Sequence, residues 1–142
     1  WLWRQGSYHC ADRNFIPDLK ALGYQVGIGF MVGSPYQSEE DLANELIYIS
    51  KIKPQMVGIG PYITHVDTPF CKFEIGSAEL ACFLLSLIRL GNPNVLLPAT
   101  TALGTLDAMG REKGLSAGAN VLMPNLTPTE VRKKYLLYNK KI

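Results

Sequence analysis

The sequence predicts an α/β fold on a parallel sheet, and more narrowly a parallel (β/α) half-barrel. Three observations carry this. After a first helix, short apolar runs alternate with amphipathic helical patterns in four successive rounds, the order that gives βα units with right-handed crossovers. No glycine-rich phosphate loop of the GxGxxG or GxxxxGKS/T kind joins a strand to its helix, which removes the main reason to read a doubly wound sheet. A complete eight-unit barrel takes about 250 residues, so a chain of 142 residues supplies about half of one.

The elements follow in order. Residues 13–22 carry helical spacing through Ile16, Leu19 and Leu22, interrupted by Pro17 and stopped by Gly23 as a C-terminal cap. The run at 24–32 (YQVGIGFMV) reads as a strand covered on two faces. Ser38 with Asp41 forms a capping box, opening a helix whose inner stripe is Leu42, Leu46 and Ile49. Residues 56–61 form a second strand, and a long loop over 62–77 leads to a helix with Leu80, Phe83, Leu84, Leu87 and Ile88 at core spacing. Strand three starts at 95–97 and runs out at Pro98, Ala99, Thr100 and Thr101; a helix covers about 106–114. Strand four is 119–123, and Thr127, Pro128 and Glu130 then offer the cap, first-turn proline and acidic residue of a last helix reaching Tyr138.

Composition narrows the function. A hydrophobic fraction of 47% with 18% charged residues describes a soluble globular chain with one core. A net charge of +2 without an aromatic-interleaved basic stripe argues against nucleic acid. Arg132, Lys133, Lys134, Lys140 and Lys141 instead suit a helix C-terminus. No apolar run reaches the ~20 residues that span a bilayer. Cys10, Cys71 and Cys82 are odd in number and far apart, which argues against a disulfide framework or a CxxC metal site and fits a reducing, cytoplasmic compartment. The chain begins at Trp1 rather than Met, so residues 1–142 are expected to be one partial domain that lacks an upstream half.

Barrel chemistry collects at the C-terminal ends of the strands. Those ends read Met31 to Gly33, Gly60 to Asp67, Thr100 with Thr101, and Met123 to Asn125. They hold hydroxyls, thioethers and glycines, and no paired carboxylates, lysine or Ser–His pair. Two adjacent hydroxyls suit a carboxylate, although threonines at a strand end equally cap backbone groups. Met56 and Met123 suit a flat polarisable ligand or simple gap-filling. His65 and Asp67 read as loop hydrogen bonding rather than a metal site. Tyr135 and Tyr138 share a helix face, serving the core or the barrel mouth.

Four strings extend this reading: GYQVGIGFMVGSPYQSEEDL, MVGIGPYITHVDTPF, LPATTALGT and GANVLMPNLTP. In this order they resemble the C-terminal half of the radical S-adenosylmethionine (SAM) maturase of [FeFe]-hydrogenase, a relative of biotin synthase and methylornithine synthase. The likeness covers about residues 13–142. It implies a TIM-type barrel, a [4Fe-4S] cluster held by CxxxCxxC, and reductive cleavage of SAM to a 5′-deoxyadenosyl radical in assembly of the hydrogenase H-cluster. It further implies a small-molecule or organometallic substrate, with other maturation proteins as partners. By position, Arg13, Met56, Tyr135 and Tyr138 match SAM-binding residues, whereas Thr100, Thr101 and Met123 match substrate-binding ones. Tyr36 stands where the family pattern has glycine, and the Arg13 helix is one residue short of that pattern. No CxxxCxxC occurs, so no cluster ligand is expected here, and the chain alone is expected to be inactive. The alternatives are a methylornithine- or biotin-synthase-like enzyme and a non-catalytic barrel that binds a small anion.

A half-barrel leaves two strand edges unpaired. The isolated chain is therefore expected to elute as a dimer, larger aggregate or partly molten species in size-exclusion chromatography; a cooperatively unfolding monomer contradicts this.

Overall fold

The structure, a computed structural model, describes residues 10–123 and 126–135, with only the backbone described for 10–14, 133 and 135. Helix α1 (Cys10–Ala21) runs through Pro17, where the sequence pattern placed an interruption. It ends on Gly23 at φ +87°. There the Gly23 and Tyr24 N–H groups donate back to the Lys20 and Leu19 carbonyls, both within 3.1 Å, which closes the last turn as a Schellman motif. Lys20 reaches across to the Ile52 and Lys53 carbonyls at 2.6 and 2.8 Å.

Strand β1 (Gly27–Val32) starts three residues later than the apolar run, because Val26 bonds to Gln55 outside the ladder. Helix α2 (Glu39–Ile52) opens on the expected capping box, Ser38 and Asp41 bonding reciprocally at 2.8–3.1 Å. Strand β2 (Met56–Pro61) pairs with β1 in parallel, Gly27 opposite Met56 through Val32 opposite Pro61. Helix α3 (Ala78–Gly91) follows the long loop. Its buried stripe is Ala81, Leu84, Leu85 and Ile88, not the 80/83/87 positions. Leu80, Phe83, Leu87 and Leu90 face outward, because in an apolar helix the facing sheet, and not periodicity, chooses the buried side.

Only two residues of the third apolar run meet strand geometry, β3 (Pro98–Ala99); Leu96 adds one parallel bridge to Met56. A single helix over about 106–114 is replaced by two, α4 (Thr101–Leu106) and α5 (Gly110–Ser116). Strand β4 (Val121–Leu122) pairs in parallel with β3. The last helix appears, within the described residues, as a 3₁₀ turn at Arg132–Tyr135 rather than an α-helix. The strands thus form two parallel pairs, β1–β2 and β3–β4, linked by the Met56–Leu96 bridge into the order β1–β2–β3–β4.

One side of this sheet carries the core. Val32, Val57, Ile59 and Leu97 pack against Leu42 and Ile49 of α2 and against the α3 stripe. Each such side chain contributes about 1.5–3 kcal/mol by leaving water. Where ladder bonds run out, side-chain amides replace them. Asn120 accepts from the Leu97 N–H at 2.7 Å and donates to the Val95 carbonyl at 3.2 Å. Gln37 accepts from the Gly33 N–H at 2.7 Å and donates to the Met31 carbonyl at 3.0 Å. Tyr36 sits in the left-handed region at φ +66°, the conformation glycine adopts without cost. Its ring meets Phe73 edge-on at 5.4 Å.

Two outcomes follow for the full-length protein. Asn120→Ala strands a strand-end N–H and should cost about 2 kcal/mol by denaturant unfolding, whereas an unchanged midpoint contradicts the amide's role. Lys113 bonds Asp107 at 2.5 Å across the α4–α5 junction. That bond, with help from the Met109 N–H, holds the Asp107 carboxyl below its ordinary value and holds the Lys113 ammonium above its own. The Asp107 contribution is present above the unfolded carboxylate pKa and lost as pH falls through the depressed folded value. The Lys113 contribution is present below the ordinary lysine pKa and lost as pH rises through the raised one. Asp107→Asn should therefore lower the melting temperature slightly at neutral pH and leave the value at low pH little changed, which flattens the acid limb of the melting temperature–pH curve.

Candidate functional site

Residues on the other side of the sheet alternate with the core residues, and they line up in rows across the strands. The lower row, at the strand starts, is Gly27, Met56 and Leu96. The middle row is Gly29, Gly58, Pro98 and Val121. In the upper row Met31 pairs with Gly60, and a Cβ on Gly60 would lie 2.6 Å from the Thr100 hydroxyl oxygen. Continuing β4 by one residue adds Met123 to that row. A sheet face with glycine at four of these positions is unlike the bulky layers that fill an ordinary barrel.

Thr100 is the chemical focus of the upper row. It precedes α4 in an extended conformation, yet its side chain makes no cap bond. Its Oγ1 is buried with no hydrogen-bond partner. Native proteins keep few such groups, because each costs about 1–3 kcal/mol. Of the two readings open for the threonine pair, the backbone-capping one therefore does not apply to Thr100. Thr101, its neighbour, is the first residue of α4, and its carbonyl accepts from Thr105 at 2.9 Å.

The remaining site candidates fall in different places. Met123 is half exposed at the end of β4. Met56 shares the glycine face but begins its strand, four residues below Gly60, or about 13 Å at the usual rise of ~3.3 Å per residue. The structure does not bring Met56 and Thr100 together. Arg13 lies in α1 and Tyr135 in the 3₁₀ turn by backbone alone. Tyr138 lies outside the described residues, as do Pro124 and Asn125. Met31 and Gly60 are the upper-row members that the sequence placed at strand ends without giving either a binding role. The signal was available in the every-second-residue spacing of glycine and methionine in GIGFMV and MVGIG.

Other polar groups serve structure. His65 accepts from the Asp67 N–H at 3.2 Å, and Thr68 bonds the His65 carbonyl at 2.8 Å, which makes a loop turn. The loop over 62–76 closes onto β1, with the Tyr62 N–H on the Val32 carbonyl and the Gly76 N–H on the Tyr62 carbonyl, each at 2.8 Å. Gly33 and Gly76 touch there, since a Cβ on Gly33 would fall 2.8 Å from the Gly76 Cα. On the helix side, a groove of about 900 Å³ lies between α3 and the α4–α5 junction, lined by Ile75, Glu79, Cys82, Asp107 and Lys113 among others. Burial pushes the Cys82 thiol up, Lys113 opposing and Asp107 adding to the shift, so the thiol is poorly suited to nucleophilic or ligand chemistry. Among the described residues no group of three His, Cys, Asp or Glu side chains comes close enough to hold a metal ion. Nor, among them, is any helix long and apolar enough to cross a membrane.

No protein-family profile matches the chain. A curated protein does: the [FeFe] hydrogenase maturase subunit HydE of Thermotoga maritima is 45% identical over 129 residues, which is 91% of this chain. The chain spans 37% of the length of that relative and aligns with its C-terminal part. This level of identity, with parallel βα units to match, makes the chain a homologue of the C-terminal part of the [FeFe]-hydrogenase maturase HydE.

Proposed function

We propose that residues 1–142 form the C-terminal half of a radical SAM (β/α) barrel that serves maturation of [FeFe]-hydrogenase, with the glycine face as the inner wall of its substrate cavity. The single observation that carries this reading is the buried, partnerless Thr100 hydroxyl on that face, in a chain 45% identical to a maturase subunit.

The residues present do not fit a [4Fe-4S] cluster. Cys71 is exposed in the long loop, Cys82 sits on the helix side of the sheet, and the sequence holds no CxxxCxxC. Cluster ligation, and with it reductive cleavage of SAM to the 5′-deoxyadenosyl radical, is assigned to parts of the protein outside this sequence; this chain alone is then inactive. The odd number and wide spacing of the cysteines support a cytoplasmic protein, working beside other maturation proteins on a small-molecule or organometallic substrate.

The chain's own contribution is positioning. The Thr100 hydroxyl, dry and fixed by its strand, hydrogen-bonds a polar group of the substrate, and Thr101 extends the same corner. The thioethers of Met31 and Met123 flank that corner with polarisable, uncharged surface. A polar contact made in a dry pocket is worth more than the same contact in water. Arg13, Met56, Tyr135 and Tyr138 are assigned to SAM by their match to the family pattern.

Thr100→Val keeps the shape and deletes the hydroxyl. In the full-length protein it should leave the melting temperature unchanged or slightly raised. Complementation of a hydrogenase-maturation defect should fall about tenfold or more, the worth of a hydrogen bond of about 1.5–3 kcal/mol to a charged group. Full complementation by this variant would remove the hydroxyl from the mechanism.

A further inference from the structure

The glycines of the open face are not all explained by the chain. A Cβ on Gly29 would run into the Gly58 carbonyl, and one on Gly60 would collide with the Thr100 side chain. Those two positions need glycine for internal reasons. Gly58 does not. It lies in the middle row of β2, an inner strand bounded by Gly29 on β1 and Pro98 on β3. Yet a Cβ there would meet no described atom within 4 Å. Its backbone is ordinary, since it is absent from the residues with positive φ. Glycine inside a strand weakens it, and where no bulge demands it the residue marks a close approach by a ligand or another backbone.

We infer that Gly58 is the size-determining position of the site, its bare backbone being the floor on which the body of the substrate lies. The inference rests on the reading that Thr100 binds the substrate's polar end. From there the floor runs down from the upper row to Gly58, about 7 Å at the usual strand rise, beside the Met31 thioether and Pro98. The substrate class that fits is an elongated small molecule with one polar end and a soft, weakly polar body. A compact anion would use Thr100 and leave Gly58 uncovered.

The test is a size series in the full-length protein, Gly58→Ala, Gly58→Val and Gly58→Leu, read by melting temperature and by complementation of hydrogenase maturation. Because the added carbons meet open space, the melting temperature should hold within about 2 °C for Ala and Val or rise, as β-formers replace glycine. Maturation should fall stepwise with side-chain size, about tenfold or more by Val, the scale on which a single methylene discriminates in a pocket. Two outcomes overturn the inference. Full activity in Gly58→Leu shows that nothing occupies the floor. A melting temperature lowered by more than about 5 °C in Gly58→Ala shows that a protein backbone packs there instead. A silent Gly58 series beside an inactive Thr100→Val removes only this inference. An active Thr100→Val beside a graded Gly58 series removes the hydroxyl and keeps an occupied floor, leaving the substrate's polar end without Thr100.

Discussion

The parallel register of β2 with its two neighbours is the constraint on which the rest depends. With Gly27 opposite Met56 and Met56 opposite Leu96, every residue of three strands is committed to one of two faces. A slip of one position would send Val57 and Ile59 away from the helices and bring glycines against them. The register is held by backbone bonds and by the gain from burying the aliphatic face against the helices. That asymmetry separates a side of packed aliphatic residues from a side lined by glycine.

The two sides divide the work in energetic terms. The helix side holds the closely packed aliphatic residues, with Val57, Leu85 and Leu97 fully buried. The glycine side gives up that stabilisation and carries the partnerless Thr100 hydroxyl. Its ends are finished by amides rather than by further strands, Gln37 closing β1 and Asn120 closing β3. Such bonds fix the C-terminal end of β1 and the start of β3. The Cys82 groove lies on the opposite side and takes no part in this division.

Kinship with a maturase subunit and the geometry of the face bear on different questions. Identity of 45% over most of the chain says which protein this stretch descends with. It does not say what each residue does. The arrangement of Met31, Gly60, Thr100 and Met123 in one row comes from pairing alone, and it separates Met56 from them by the length of β2. Position matching put Met56 with SAM and Thr100 with Met123 on the substrate; the strands put Met56 at one end of the face and Thr100 at the other.

By itself the sequence determined what local chemistry fixes. The Ser38–Asp41 capping box, the Gly23 stop, the Leu42–Ile49 stripe and the βα order all depend on residues a few positions apart. Their energies do not wait for the rest of the fold. What needed the tertiary structure was everything set by a distant partner. The sheet decided which stripe of the apolar α3 is buried. Pairing decided that the third apolar run yields only two strand residues, and packing that the helix after it splits in two. The thirty-nine positions between Gly60 and Thr100 hide their contact in the sequence. Steric exclusion across neighbouring strands decides it, because a glycine's missing Cβ has meaning only once the atom beside it is known.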